Sequence, residues 1–135
     1  MISGGGTGTF VADLDNDGDI DGSAFGFVVI VRGGGSASGH FTCLMAGQGD
    51  IFGLHLMSVE GQVGAASTAG TPTFSGKGTL HVNGDKTPVT FHVDVLAEGG
   101  AGVGQFQLTV KDANDVTLVA AFPPETVASG QIDIR

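Results

Sequence analysis

Five aspartates crowd into one short stretch and are the residues best able to do chemistry. They are Asp13, Asp15, Asp17, Asp19 and Asp21, five of the fourteen acidic residues of this 135-residue chain. Carboxylates this close repel one another unless a cation lies among them. Ca²⁺ takes about six to eight oxygen ligands, whereas Mg²⁺ tends to retain its waters. The pattern predicts a calcium site at a hairpin tip, with a solvated tip without metal as the alternative.

The spacing within this segment fits a calcium loop. Asp13, Asp15 and Asp17 fall at loop positions 1, 3 and 5, and a glycine at position 6 allows a sharp bend. An EF-hand also needs a carboxylate at position 12, where this sequence has Ala24. It needs flanking helices too, whereas both flanks have the apolar pattern of strands. The segment is therefore not an EF-hand.

The segment resembles the nine-residue D-x-D-x-D-G-x-x-D loop of integrin-type FG-GAP repeats, in which calcium lies between two strands of a hairpin. The resemblance implies that the side chains of Asp13, Asp15, Asp17 and Asp21 coordinate calcium, together with the carbonyl of Asp19. Those repeats occur in series of about seven to build a propeller, and this chain has one copy. The resemblance therefore covers the loop and not the propeller. A calcium that only stiffens the hairpin is one interpretation.

Composition predicts an all-β fold. Twenty-five glycines and nine phenylalanines accompany frequent Val and Thr, and blocks of helix-forming residues are nearly absent. Apolar or alternating segments are predicted as strands at 7–12, 24–32, 38–46, 54–66, 73–83, 88–97, 104–110, 116–122 and 127–134. Because the gaps are too short for crossover helices, neighbouring strands pair antiparallel. We expect one domain over 1–135, an antiparallel meander of 8–9 strands that forms a closed barrel rather than a two-sheet sandwich.

The hairpin at 83–84 offers a register to test. Pairing each position i with position 171 − i places Leu80 opposite Phe91 on one face. On the other face it places Lys77 opposite Asp94, a pair of opposite charges. One register thus satisfies both faces of the hairpin.

The four histidines are further candidates for chemistry. Alternation places His40 on the wetter face of its strand. The predicted register sets His81 diagonally next to His92, near enough to share a transition metal if a carboxylate such as Asp94 joined them. Two surface histidines without a ligand are the alternative.

His55 is in phase with apolar neighbours and is predicted to point inward. If the barrel has a lumen, His55 could line it with Phe41, Cys43 and Met45, as one titratable group in an apolar pocket. His55 is then the candidate catalytic acid-base group. The alternatives are a core histidine bonded to a backbone carbonyl and a Cys43 that serves as a small apolar side chain.

Charge and missing motifs exclude several classes of function. A net charge of −9 repels phosphate backbones and anionic bilayers, so we expect neither nucleic acid nor membrane as a partner. The single cysteine excludes an intrachain disulfide. The chain has no phosphate loop, G-x-S-x-G elbow or HExxH motif. Without Trp or Tyr it also lacks the usual stacking platform for sugars.

Two functions fit these observations. The favoured one is a calcium-binding β module of a secreted or cell-surface bacterial protein, acting in binding or assembly, whose leader is not present in this chain. Millimolar extracellular calcium suits such a site. The alternative is a small lipocalin-like cyclase or isomerase that acts on an apolar ligand in its lumen. The expected partners are an unidentified small apolar ligand or a protein, and an unpaired edge strand could form a homo-oligomer.

Overall fold

A computed structural model of the chain describes residues 1–10, 22–51, 54–68, 70–82, 85–114, 116, 118–121 and 124–134. Within the strands, the side chains of residues 9–10, 22–23, 45–51, 54–57, 82, 85 and 118–121 are outside this description. The five aspartates between 13 and 21 also lie outside the described residues.

Most of the described residues lie in nine β-strands. They are β1 (Ile2–Phe10), β2 (Gly22–Val31), β3 (Ser36–Ile51), β4 (Leu54–Ser67), β5 (Thr73–Val82), β6 (Asp85–Ala97), β7 (Gln105–Asp112), β8 (Leu118–Ala121) and β9 (Glu125–Ile134). A single 3-10 turn at Gly33–Gly35 joins β2 to β3. Each strand overlaps a predicted segment. β1 begins five residues before the predicted start at 7, because its glycine run is also extended, and β3 continues five residues past the predicted end at 46.

The strands form one antiparallel meander that closes into a ring. Each of β1 to β6 pairs with the strand that follows it, β7 pairs with β6, and β9 returns to pair with β1. This arrangement confirms the predicted antiparallel meander and its closed, barrel-like form.

Two strands, β8 and β9, share one edge of β7 where the ring closes. β8 pairs with the later part of β7, at Thr109 to Lys111, and β9 pairs with its beginning, at Gln105 and Phe106. β8 and β9 therefore run in the same direction along one edge of β7. Beyond that point the segment 99–104 takes over as the neighbour of β9, with backbone hydrogen bonds of 2.8 to 2.9 Å to Val127 and Ile132.

The interior is filled by phenylalanine rings seated over glycines. The rings form a connected network with centroid distances between 4.8 and 6.3 Å; its members are Phe25, Phe27, Phe41, Phe74, Phe91 and Phe106. Glycines make room for them: a Cβ atom on Gly4 would lie 2.6 Å from Cζ of Phe27. Among the described residues, small and large inward positions thus alternate, and the rings of one wall pack against the other.

The predicted register of the β5–β6 hairpin is wrong by four residues. The structure pairs Val82 with Asp85 and Gly78 with Val89, so each position i faces 167 − i. An even shift leaves every side chain on its predicted face, so matching apolar with apolar residues could not separate the two registers. The two-residue Asn-Gly connection decides between them, because it favours a tight hairpin over the six-residue loop that the other register requires.

The cross-strand ion pair predicted from that register is also wrong. Lys77 faces Thr90, and Asp94 faces Thr73. On the apolar face the observed register still pairs a small residue with a large one, since Gly76 lies opposite Phe91.

Candidate functional site

The acidic segment connects the end of β1 to the beginning of β2. Thr9 pairs with Gly22, so the strands on either side of the aspartates are direct antiparallel neighbours. Both flanks are strands, as the sequence predicts, and a helix–loop–helix calcium site is excluded here. Asp13, Asp15, Asp17, Asp19 and Asp21 themselves are outside the described residues.

A buried carboxylate lies beside the end of β1. Glu125, the first residue of β9, is only 2 % exposed and is the Cα partner of Phe10. Its side chain extends over Gly8, where a Cβ atom would lie 2.6 Å from Oε1 of the glutamate. Burying a carboxylate costs free energy unless the carboxylate is hydrogen-bonded or ion-paired. The residues around Glu125 must therefore fit both its shape and its polarity.

Sequence reasoning missed Glu125, although a signal was present. Glu125 is two residues before Val127 and therefore in phase with it on the inward face of β9. An acidic residue in phase with the apolar face of a strand is rare unless it has a partner. The predicted strand begins only at 127, because the preceding Pro123-Pro124 pair is typical of a turn.

The predicted lumen is occupied by side chains where the structure describes it. Phe41 and Cys43 point inward and are almost fully buried, and the ring of Phe41 stacks on Phe91 with a centroid distance of 5.1 Å. Cys43 is thus one of the small apolar residues of the core. His55 and Met45 belong to β4 and β3, but their side chains are outside the described residues.

The two histidines predicted to share a metal are far apart. His92 faces Ser75, which is six positions from His81 along β5. At about 3.3 Å per residue that separates them by roughly 20 Å. The predicted His81 and His92 metal site is therefore wrong, because it depended on the shifted register. His40 is exposed, as predicted.

His81 has a different neighbour. Its Nε2 atom lies 3.2 Å from Oε1 of Glu60 on β4, one strand away. Among the described residues no group of three or more His, Cys, Asp or Glu side chains could hold a metal ion.

Comparison of the chain with protein-family models, with curated proteins and with solved structures gives no match. Over the residues that the structure covers, no helix has the length and apolarity needed to span a membrane.

Proposed function

We propose that the protein is a calcium-binding β module of a secreted or cell-surface bacterial protein, acting in binding or assembly. The observation that carries the proposal is the D-x-D-x-D-G-x-x-D spacing of Asp13 to Asp21 between two strands. Calcium is the cofactor, and the proposed ligands are the side chains of Asp13, Asp15, Asp17 and Asp21 with the carbonyl of Asp19.

The pairing of the two strands that flank the aspartates supports this proposal. Because Thr9 and Gly22 are paired, the chain must leave β1 and return to the neighbouring strand within residues 10–21. Five carboxylates have to share that small space, and their repulsion opposes a compact turn. A hard cation that accepts several oxygens removes the repulsion and adds ligand bonds.

The availability of calcium outside cells supports the extracellular location. Extracellular calcium modules bind with dissociation constants of about 10⁻⁴ to 10⁻³ M, which match millimolar calcium outside cells. No observation favours the lipocalin-like cyclase or isomerase, since the described part of the interior is filled by phenylalanine rings.

A thermal melt tests the proposal. At a hundredfold excess over its dissociation constant, calcium should stabilise the fold by roughly 2.7 kcal/mol. For a chain of this length that corresponds to about 10 °C in Tm. A chelator should remove the whole increase, and Mg²⁺ at the same concentration should reproduce little of it.

Two double variants give the matched comparison. Asp15→Ala with Asp17→Ala should abolish the calcium response. Asp94→Ala with Asp133→Ala removes the same charge from half-buried positions on β6 and β9 and should keep the response. A wild-type Tm that is indifferent to both calcium and chelator would refute the proposal.

A further inference from the structure

An open groove of about 710 Å³ crosses the outer wall of the ring. It runs over β4, β5 and β6 and ends against the turn that follows β7. Its lining combines small apolar residues with polar side chains; the polar ones include Gln62, Ser75, Lys77, His92 and Asn114.

A β-bulge shapes the floor of the groove. Val63 pairs with Gly76 and Ala65 with Ser75, so Gly64 is an extra residue on β4. A Cβ atom on Gly64 would meet nothing within 4 Å, which shows that the bulge leaves open space above the sheet.

The turn after β7 forms a fixed wall. Oδ1 of Asp112 accepts hydrogen bonds from the backbone N–H groups of Asn114 and Val116, at 3.1 and 3.0 Å. The Thr90 hydroxyl on β6 donates to the Asp112 carbonyl oxygen at 3.1 Å. These intrachain hydrogen bonds fix the backbone of the turn and hold Asn114 at the edge of the groove.

Two of the five basic residues of the chain share one cross-strand row, and Lys77 in this row lines the groove. Lys77 on β5 faces Thr90 on β6, and Thr90 in turn faces Lys111 on β7. With strands about 4.8 Å apart, the two lysine Cα atoms are roughly 10 Å apart. In a protein with a net charge of −9, this row is a local positive region on a negative background.

The nearby carboxylates form no ion pair with Lys77 in the described part of the structure. Glu60 lies one row away but its Oε1 is engaged by His81 at 3.2 Å. Asp94 is four residues beyond Thr90 on the same strand, about 13 Å away along the sheet. Within the described part of the structure, Lys77 forms no ion pair.

We propose that this groove binds a small anionic ligand through a carboxylate, sulfate or phosphate group held at Lys77. The ammonium supplies the charge, and Gln62, Ser75 and Asn114 supply neutral hydrogen-bond donors around it. The small residues of the floor let the ligand lie flat on the sheet. The proposal is independent of calcium, because none of these residues belongs to the aspartate segment.

An NMR titration of the ¹⁵N-labelled protein tests the proposal, with sodium sulfate, sodium phosphate and sodium glucuronate as probes at constant ionic strength. At least one probe should give saturable shifts in amides of residues 62–65, 75–77 and 113–114. The probe that saturates at the lowest concentration identifies the preferred anionic group. Lys77→Gln should weaken its binding at least tenfold, and Lys86→Gln, with the same change of net charge at an exposed site on β6, should not.

A second pair of variants tests the cavity itself. Gly64→Leu fills open space at a residue without positive φ and should abolish binding while the fold is kept. Gly5→Leu, which adds the same side chain to the opposite wall, should leave binding unchanged. The proposal is overturned if no probe saturates, if Lys86→Gln weakens binding as much as Lys77→Gln, or if Gly64→Leu binds like the wild type.

Discussion

Charge gathers in two regions of this molecule, and the two are built in different ways. The negative region draws five aspartates from one continuous stretch of sequence that follows β1, whose last residue, Phe10, pairs with the buried Glu125. The positive row on the outer wall draws Lys77 and Lys111 from two strands that are not sequence neighbours. One region is fixed by chain order, and the other exists only because three strands pair in one register.

This difference decides how each region responds to change. A shift of strand register would separate Lys77 from Lys111 and leave the aspartates side by side. Changes that disturb the packing of β4 on β5 should therefore affect anion binding far more than calcium binding. Changes at the end of β1 should do the reverse.

Gly76→Ala is expected to have the largest effect on stability. Its Cβ atom would lie 2.0 Å from the carbonyl oxygen of Gln62, a backbone atom that can yield only if β4 and β5 separate. Overpacking of this kind costs about 3 kcal/mol, measured as the free energy of unfolding in a urea titration. Gly64 lines the same groove but faces open space, so Gly64→Ala should change the free energy of unfolding by less than about 0.5 kcal/mol.

The calcium response of Gly76→Ala sharpens the comparison. The variant should lose binding of whichever anionic probe the wild type binds, and keep a calcium-dependent rise in Tm. Equal loss of both responses would show that the two regions are not independent.

Gly8→Ala should destabilise the protein by a smaller amount, about 1 to 2 kcal/mol. Its Cβ atom would displace the buried Glu125 carboxylate, a side chain that can shift where a backbone oxygen cannot. Gly5→Ala in the same strand meets only an ordinary contact at 3.8 Å and is the matched control. Equal urea midpoints for the two variants would contradict the tight seating of Glu125 over Gly8.

The sequence was sufficient to predict the strands and their order. Alternation along residues such as Phe25, Phe27 and Val29 is a local signal, and short connections force antiparallel neighbours. The face of each side chain follows from the same alternation, which is why Phe41, Cys43 and His40 lie where they were predicted.

Register and its consequences could not be predicted from side-chain matching. Two registers that differ by four residues place the same residues on the same faces, so Leu80 and Phe91 fit either one. The wrong register predicts that His81 lies near His92, and it does not predict the cross-strand row of Lys77, Thr90 and Lys111. Glu125 was missed for a different reason, because its inward phase is visible only once β9 is extended back to the residue after the prolines.

Calorimetric titration of calcium into the chelator-treated protein tests the central claim most directly. We expect one calcium ion per chain in the wild type, and no measurable binding after Asp15→Asn with Asp17→Asn. Asp94→Asn with Asp133→Asn should bind one ion with unchanged affinity. A wild-type titration without heat beyond dilution, confirmed by equilibrium dialysis to show no bound calcium, would contradict the account.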